Sequence, residues 1–206
     1  MIALFWLAVL FVAYTYVGYP LLAWLLSRLR LALPVSEPQQ WPGVSIIVPF
    51  CNEPARVAAK LATLRAQDYP GVMQIIFVSD GEEDGTADEV RACAEQDIST
   101  VVLPTRAGKP SALNVAFPLI RHELVLFSDA RQQLAQDALR RLVTRIQHPE
   151  VAAVSGELVL LDDQDRARIG LYWRYEKWIR QAESRLASVP GVTGALYLIR
   201  REYVRP

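Results

Sequence analysis

From Ile2 to Leu26 the chain runs for 25 residues without a charge, IALFWLAVLFVAYTYVGYPLLAWLL. A helix needs about 20 apolar residues to cross the hydrocarbon core of a bilayer, so this run is long enough to span one with some tilt. Trp6, Tyr14, Tyr16, Tyr19 and Trp24 are amphipathic rings suited to the two interfaces. Pro20 is expected to kink the helix or end its regular part. A cleaved signal peptide would need a basic leader and a shorter apolar core, whereas Met1 leads straight into apolar residues. Residues 1–30 therefore read as a retained transmembrane anchor. Arg28 and Arg30 follow it, with Arg56, Lys60 and Arg65 further on, and nothing basic precedes it. By the positive-inside rule the rest of the chain is cytoplasmic. The two cysteines, Cys51 and Cys93, lack metal-type spacing and read as free thiols of a reducing compartment.

Residues 31–43 carry three prolines and little periodicity, which suits an extended linker. With 22 basic and 22 acidic residues in the whole chain, no broad nucleic-acid-binding face is indicated. From Val44 onward short apolar runs alternate with helical patterns. Val44–Val48, Met73–Val78, Thr100–Leu103 and Leu124–Phe127 read as buried strands. Val57, Leu61 and Leu64 mark a helix from Pro54 to about Gln67, with Asn52 as its cap. Thr86 with Glu89 forms a capping-box signature, and the acidic turn Glu82-Glu83-Asp84 before it reads as a solvated face. Further helices are expected over Ser111–Leu119 and about Gln136–Ile146, with more β structure at Val151–Val154 and Leu158–Leu161. A long helix from about Arg168 to Leu186, rich in aromatics and arginines, suits either a membrane surface or partial burial on the domain. The glycine-hinged stretch Gly191–Ile199 leads into a last strand. Such alternation with short connections specifies an α/β domain with a mainly parallel, doubly wound, Rossmann-like sheet.

Three of these strands end in polar groups: Asn52 and Glu53, Asp80, and Asp129. In a parallel sheet with right-handed crossovers those ends share one edge, where open α/β sheets bind ligands. A basic loop with Arg106 and Lys109 leads toward the Asp129 strand. Carboxylates accept from a base or ribose or hold a divalent cation, while Lys and Arg pair with phosphate, so this company suits a nucleotide with a pyrophosphate. Taken singly, each has a plainer reading: Asp80 as a turn residue before Gly81, Lys109 as a solvated loop charge, Asp129 as the start of a solvated turn. Neither a Gly-x-x-x-x-Gly-Lys-Ser/Thr loop nor a Gly-x-Gly-x-x-Gly turn is present, which disfavours P-loop and dinucleotide sites.

The series VSIIVPFCNEP, IIFVSDGEEDGT, RAGKPSALN, LVLFSDARQ and GVTGALYLIRRE, in that order, resembles the family 2 glycosyltransferases of GT-A fold. The resemblance is to membrane-anchored bacterial enzymes related to cellulose, hyaluronan and poly-N-acetylglucosamine synthases, and it covers residues 44–206. It implies a nucleotide-sugar donor, most simply UDP-linked, and a glycan or lipid acceptor at the bacterial inner membrane, with synthase-complex subunits as further partners. Pro49, Asn52 and Glu53 match the first nucleotide-binding loop. Asp80 matches the carboxylate that contacts the uracil or its ribose. Lys109 matches a diphosphate-side contact, and Asp129 the first position of Asp-x-Asp, near the diphosphate and its Mg or Mn ion. Gly194 matches an acceptor-side loop.

Two departures from the family pattern bear on activity. Arg131 stands where the second Asp of Asp-x-Asp is usual, and a guanidinium offsets diphosphate charge directly by bidentate pairing. Metal dependence is thereby an open question. The family's general base belongs to an acidic motif expected beyond Pro206, so the glycosyltransferase domain reads as incomplete at its C-terminus. Glu176 and Glu183 are poor substitutes, since a base must first be in reach of its proton. The expectation is an inverting sugar transferase domain that is inactive as these 206 residues. The alternatives are a non-catalytic nucleotide-sugar-binding or assembly subunit and a structural membrane-tethered domain.

Overall fold

The structure, a computed structural model, describes the chain apart from residues 32, 83, 93–96, 160–169, 190 and 206. The first helical elements are α1 (Ile2–Ala13) and α2 (Tyr19–Arg28). The sheet and its helices follow as β1 (Val44–Phe50), α3 (Pro54–Arg65), β2 (Met73–Ser79), α4 (Thr86–Ala92), β3 (Ile98–Val102), α5 (Lys109–Ala116) and β4 (Leu124–Ser128). Then come α6 (Ala138–Ile146), β5 (Ala153–Ser155), α7 (Leu171–Leu186) and β6 (Leu196–Arg200). They form two compact units, one of Met1–Pro34 with Val159–Gly191, the other of Val35–Leu158 with Val192–Pro206.

The larger unit is built on one sheet with strand order β3-β2-β1-β4-β6-β5. The first four strands run parallel, and β6 lies antiparallel to both β4 and β5. Alternate residues of the Val/Ile-rich strands serve opposite faces. Ile46, Val48, Ile75, Phe77, Leu124 and Leu126 pack with α3, α4 and α6 through Val57, Leu61, Leu64, Val90, Leu139 and Ile146. Ile47, Ile76, Val78, Val125 and Phe127 pack with Ala112 and Ala116 of α5. The mainly parallel, doubly wound α/β sheet expected from the sequence is therefore present.

Several local expectations are corrected. Glu53, not Asn52, is the N-cap residue of α3, and Asn52 takes a left-handed φ of 52°. Glu82 and Asp84 do not form a merely solvated face, because their carboxylates accept from the Thr86 and Ala87 amides and cap α4. A carboxylate at a helix N-terminus satisfies orphan amides and meets the positive end of the dipole. Helix α5 starts at Lys109, and a 3-10 turn covers Phe117–Leu119. Val159 and its neighbour 158 form no strand, and positions 160 and 161 of that expected strand lie outside the described residues, as do Glu83, Cys93 and the Arg168 start of the long helix.

In the smaller unit the N-terminal helix runs from Ile2 to Arg28, long and apolar enough to cross a membrane, with its apolar window unburied. Pro20 neither ends nor breaks it. A π-helical stretch, Tyr14–Gly18, precedes the proline, which sits in the first turn of α2. Proline lacks the N–H that the carbonyl four residues back would accept. That carbonyl belongs to Tyr16, and the Tyr175 hydroxyl of α7 donates to it instead. Small residues Ala23 and Ser27 are buried on α2, as is Ala182 on α7, and α2 packs along α7. Small side chains allow such close approach between helices.

Candidate functional site

Strand order reverses between β1 and β4, and such a switch point opens a crevice at the carboxyl ends of the strands. Pairing of β1 with β4 stops at Ile47, whereas pairing with β2 continues to Phe50. Pro49, which has no N–H to donate, lies in the stretch that is paired with β2 alone and open on the β4 side. Glu53 follows β1 and Arg131 follows β4, and they meet across the opening. Arg131 donates from Nε at 3.0 Å, and Nη2 stands 2.9 Å from the same Glu53 oxygen, which also receives Arg56 Nη1 at 2.6 Å.

Asp80 closes β2. Its side chain is buried, and both oxygens are satisfied by the basic loop. Oδ1 accepts from the Ala107 amide at 2.7 Å and the Gly108 amide at 3.1 Å, while Oδ2 accepts from Gly108 at 2.9 Å. A carboxylate bound to backbone amides is a strong, directed anchor. The loop comes so close that a Cβ on Gly81, at φ 62°, would run into the backbone of Thr105 and Arg106. Gly81 is needed for both its dihedral and this approach. The plain reading of Asp80 as a turn residue is thus incomplete: it fixes the loop that delivers Lys109.

Lys109 begins α5 and bridges the other two parts of the site. Its ammonium donates to Asp129 Oδ1 and, at 3.0 Å, to the carbonyl of Gly194. The Asp129 amide in turn donates to the carbonyl of Ala195 at 3.1 Å. Phe127, on the strand before Asp129, stacks on Tyr197 with ring centroids 4.8 Å apart. Burial, and secondarily the Asp129 charge, raise the Tyr197 phenol above its ordinary value.

Of the positions singled out in the sequence, Glu53 and Arg131 are joined directly, as are Lys109, Asp129 and Gly194. Asp80 enters through the loop it holds. Glu176 pairs with Arg180 on its own helix at 3.0 Å, and Glu183 accepts from Tyr19 at 2.6 Å.

Sequence reasoning misses one residue. Lys60 of α3 is only 1% exposed, although by sequence it stands among the charges that flank the anchor. Its ammonium donates to Ser128 Oγ at 2.5 Å and to the Gln132 carbonyl at 2.8 Å. Burial pulls its pKa down to about 7, and the Asp129 charge pulls it partly back. The signal is present in the sequence: Lys60 lies one residue before Leu61 and three after Val57, on the apolar stripe of α3.

The chemistry of the donor set bears on a metal. Among the described residues no group of three or more His, Cys, Asp or Glu side chains gathers. Asp129 is paired with an ammonium and Glu53 with two guanidiniums. Mg²⁺ is commonly held by one or two carboxylates plus substrate phosphates. Here the rim offers two carboxylates, Asp129 and Glu53, both engaged by cations, and the second position of the motif carries a guanidinium. The second carboxylate of an Asp-x-Asp clamp is therefore replaced by Arg131, which leaves Asp129 as the motif's one carboxylate.

Comparison with known proteins agrees with this geometry. The model of the family "Glycosyl transferase family 2" matches residues 45–205. An N-acetylglucosaminyltransferase of Rhizobium meliloti (strain 1021) is 34% identical over 173 residues, covering 80% of this chain and 41% of that protein. A Bradyrhizobium elkanii protein of the same name is 32% identical over 123 residues, covering 57% of this chain and 67% of its own. Among solved structures, a mannosyltransferase from Pyrobaculum calidifontis in complex with GDP-Man and Mn²⁺ superposes with a TM-score of 0.73 at 30% identity. The match covers 92% of this chain and 54% of that one. The chain spans about two fifths of the length of several of its named relatives.

Proposed function

The chain belongs to glycosyl transferase family 2, and from that premise we propose that its larger unit binds a nucleotide-sugar donor, UDP-linked, for inverting transfer to a glycan or lipid hydroxyl. In that reaction a general base takes the acceptor proton, the acceptor oxygen bonds to the anomeric carbon, and the bond to the nucleoside diphosphate breaks. The names of the relatives favour an N-acetylglucosaminyl donor. The observation that carries the reading is the convergence of Glu53, Asp80 and Asp129, from three parallel strand ends, with Lys109 and Arg131. Asp80 and the loop it holds serve the nucleoside, while Lys109 and Arg131 exchange their carboxylate partners for diphosphate oxygens. Pro49 and Asn52 shape the first loop, and Gly194 belongs to the acceptor side. No step is assigned to a metal. The apolar Ile2–Arg28 helix serves as a membrane anchor, with the domain on the cytoplasmic side of a bacterial inner membrane and residues 31–43 as linker.

A second reading, donor binding without turnover, is favoured by one observation. Glu53, Asp80 and Asp129 are all held by cations or amides, so none stands ready as a base. Calorimetric titration of UDP and GDP into the full chain in detergent, for wild type and Asp80→Ala, tests the common part. Loss of the Asp80 cage should weaken UDP at least about tenfold, since a buried charged hydrogen-bond network is removed. Absence of nucleotide binding by wild type refutes both readings. Transfer of labelled N-acetylglucosamine from its UDP donor to an added glycan separates the first from the second.

A further inference from the structure

We infer that Lys60 is a positioning residue for the diphosphate end of the donor, an assignment that rests on the donor-binding reading above. Its two acceptors bracket the critical turn. Ser128 immediately precedes Asp129, and Gln132 immediately follows Arg131. The turn is closed by the Gln132 amide donating to the Asp129 carbonyl at 3.2 Å, and Ala130 at its centre is buried. Asp129 and Arg131 thus project from a three-residue turn whose ends are held together by one ammonium beneath it. Their side chains are 34% and 68% exposed, so packing alone does not fix them.

The burial itself needs a reason. An ammonium inside a domain is costly unless hydrogen bonded, and methionine or leucine would fill the α3 stripe without that cost. Only a residue with a long stem and several donors reaches both ends of the turn from the helix layer. Lys60 also reaches the sheet from the α3 face, while Lys109 reaches Asp129 from the start of α5. The turn is therefore fixed from the helices of both faces. One lysine meets the Asp129 carboxylate that the donor reading displaces, and the other holds the Ser128 hydroxyl and the Gln132 carbonyl on either side of the turn.

A merely structural lysine would influence folding alone, so the decisive readout compares ligands. UDP and uridine are titrated separately into the full chain in detergent micelles, for wild type, Lys60→Met and Ser128→Ala. GDP and guanosine are the parallel pair. In Lys60→Met the diphosphate should bind about tenfold more weakly, the low end for loss of an outer-layer orienting contact, with the nucleoside within about twofold of wild type. Ser128→Ala removes one of two anchors and should weaken the diphosphate about threefold in the same selective way. An unchanged ratio of diphosphate to nucleoside affinity in Lys60→Met overturns the assignment, and so does parallel loss of both ligands. If that variant does not fold, the same ratio in Ser128→Ala decides. Wild type that binds neither nucleoside diphosphate removes the donor reading and this assignment together, an outcome separate from a variant that behaves like wild type.

Discussion

The buried Lys60 makes stability depend on pH in a direction opposite to that of an ordinary lysine pair. Its folded pKa of about 7 lies below the ordinary value of 10.5. Between those values the unfolded chain binds more protons, so stability rises with pH through that window and the penalty is fully present below about pH 7. Converted at the usual rate per pKa unit, the penalty is roughly 4 kcal/mol at pH 7 and roughly 1 kcal/mol at pH 9.5, a gain of about 3 kcal/mol. For a domain of this size that is about 6–12 °C in midpoint. Lys60→Met removes the titration but leaves Ser128 Oγ and the Gln132 carbonyl without their donor, at about 1–3 kcal/mol each. The two chains should therefore melt close together at pH 7 and diverge in favour of wild type by pH 9.5. Tyr69, raised to about 12 by burial, sets the upper end of the window. Above about pH 10 the unfolded tyrosine ionises first and stability falls in both chains. The assay is the thermal midpoint of each chain in detergent across pH 7–9.5. Parallel curves would refute the claim that Lys60 is buried and titrating.

Other outcomes follow from single contacts. Arg131→Asp should lower UDP affinity in chelator by at least about tenfold, through the loss of one charge-assisted pair and the carboxylate gained in its place, and Mn²⁺ should restore it, whereas wild type should bind equally in chelator and Mn²⁺; calorimetry in both buffers decides. Gly81→Ala, at φ 62° against the Thr105–Arg106 backbone, should cost about 1–3 kcal/mol or more and lower the thermal midpoint. Tyr175→Phe leaves the Tyr16 carbonyl without the hydroxyl that replaces the Pro20 amide, which should cost about 1 kcal/mol, read as a drop in midpoint in detergent.

The sheet is legible in the sequence because its strands are continuous Val/Ile/Leu/Phe runs separated by turn chemistry, as in a parallel sheet covered on both faces. What sequence does not supply is the partner of each charge. Asp80 and Lys109 stand out as residues of the right type at strand ends, yet nothing in the sequence tells that Asp80 accepts amides from residues 107 and 108. Glu82 and Asp84 look like solvent-facing acids because helix capping from the preceding turn depends on loop geometry, not on spacing. Lys60 is a different case, legible and easily overlooked. Periodicity assigns Val57, Leu61 and Leu64 to the core, and the lysine between them on the same stripe passes for a surface charge because most lysines are one. A charged residue on an apolar stripe is more informative than the stripe.

Charge arithmetic then connects Lys60, Arg131 and the missing second aspartate. With an aspartate at the third position of this turn, three carboxylates would gather, two of them Glu53 and Asp129. Only Arg56 and Lys109 would face them, which leaves an excess of one negative charge before any diphosphate arrives. The Arg131 of this chain changes that balance by two units, the charge a divalent cation would bring. The rim as built holds Arg56, Lys109 and Arg131 against Glu53 and Asp129, with Lys60 beneath. Partly exposed pairs of this kind hold each other weakly, so under the proposed donor reading a diphosphate with higher charge density would displace the carboxylates at little cost. A guanidinium has a fixed length and direction where a metal ion adapts to its ligands. On the proposed donor reading, a site that neutralises its donor with Arg131 would need a turn whose geometry is set in advance, and the ammonium of Lys60, which bonds Ser128 and Gln132 at its two ends, is placed to set it.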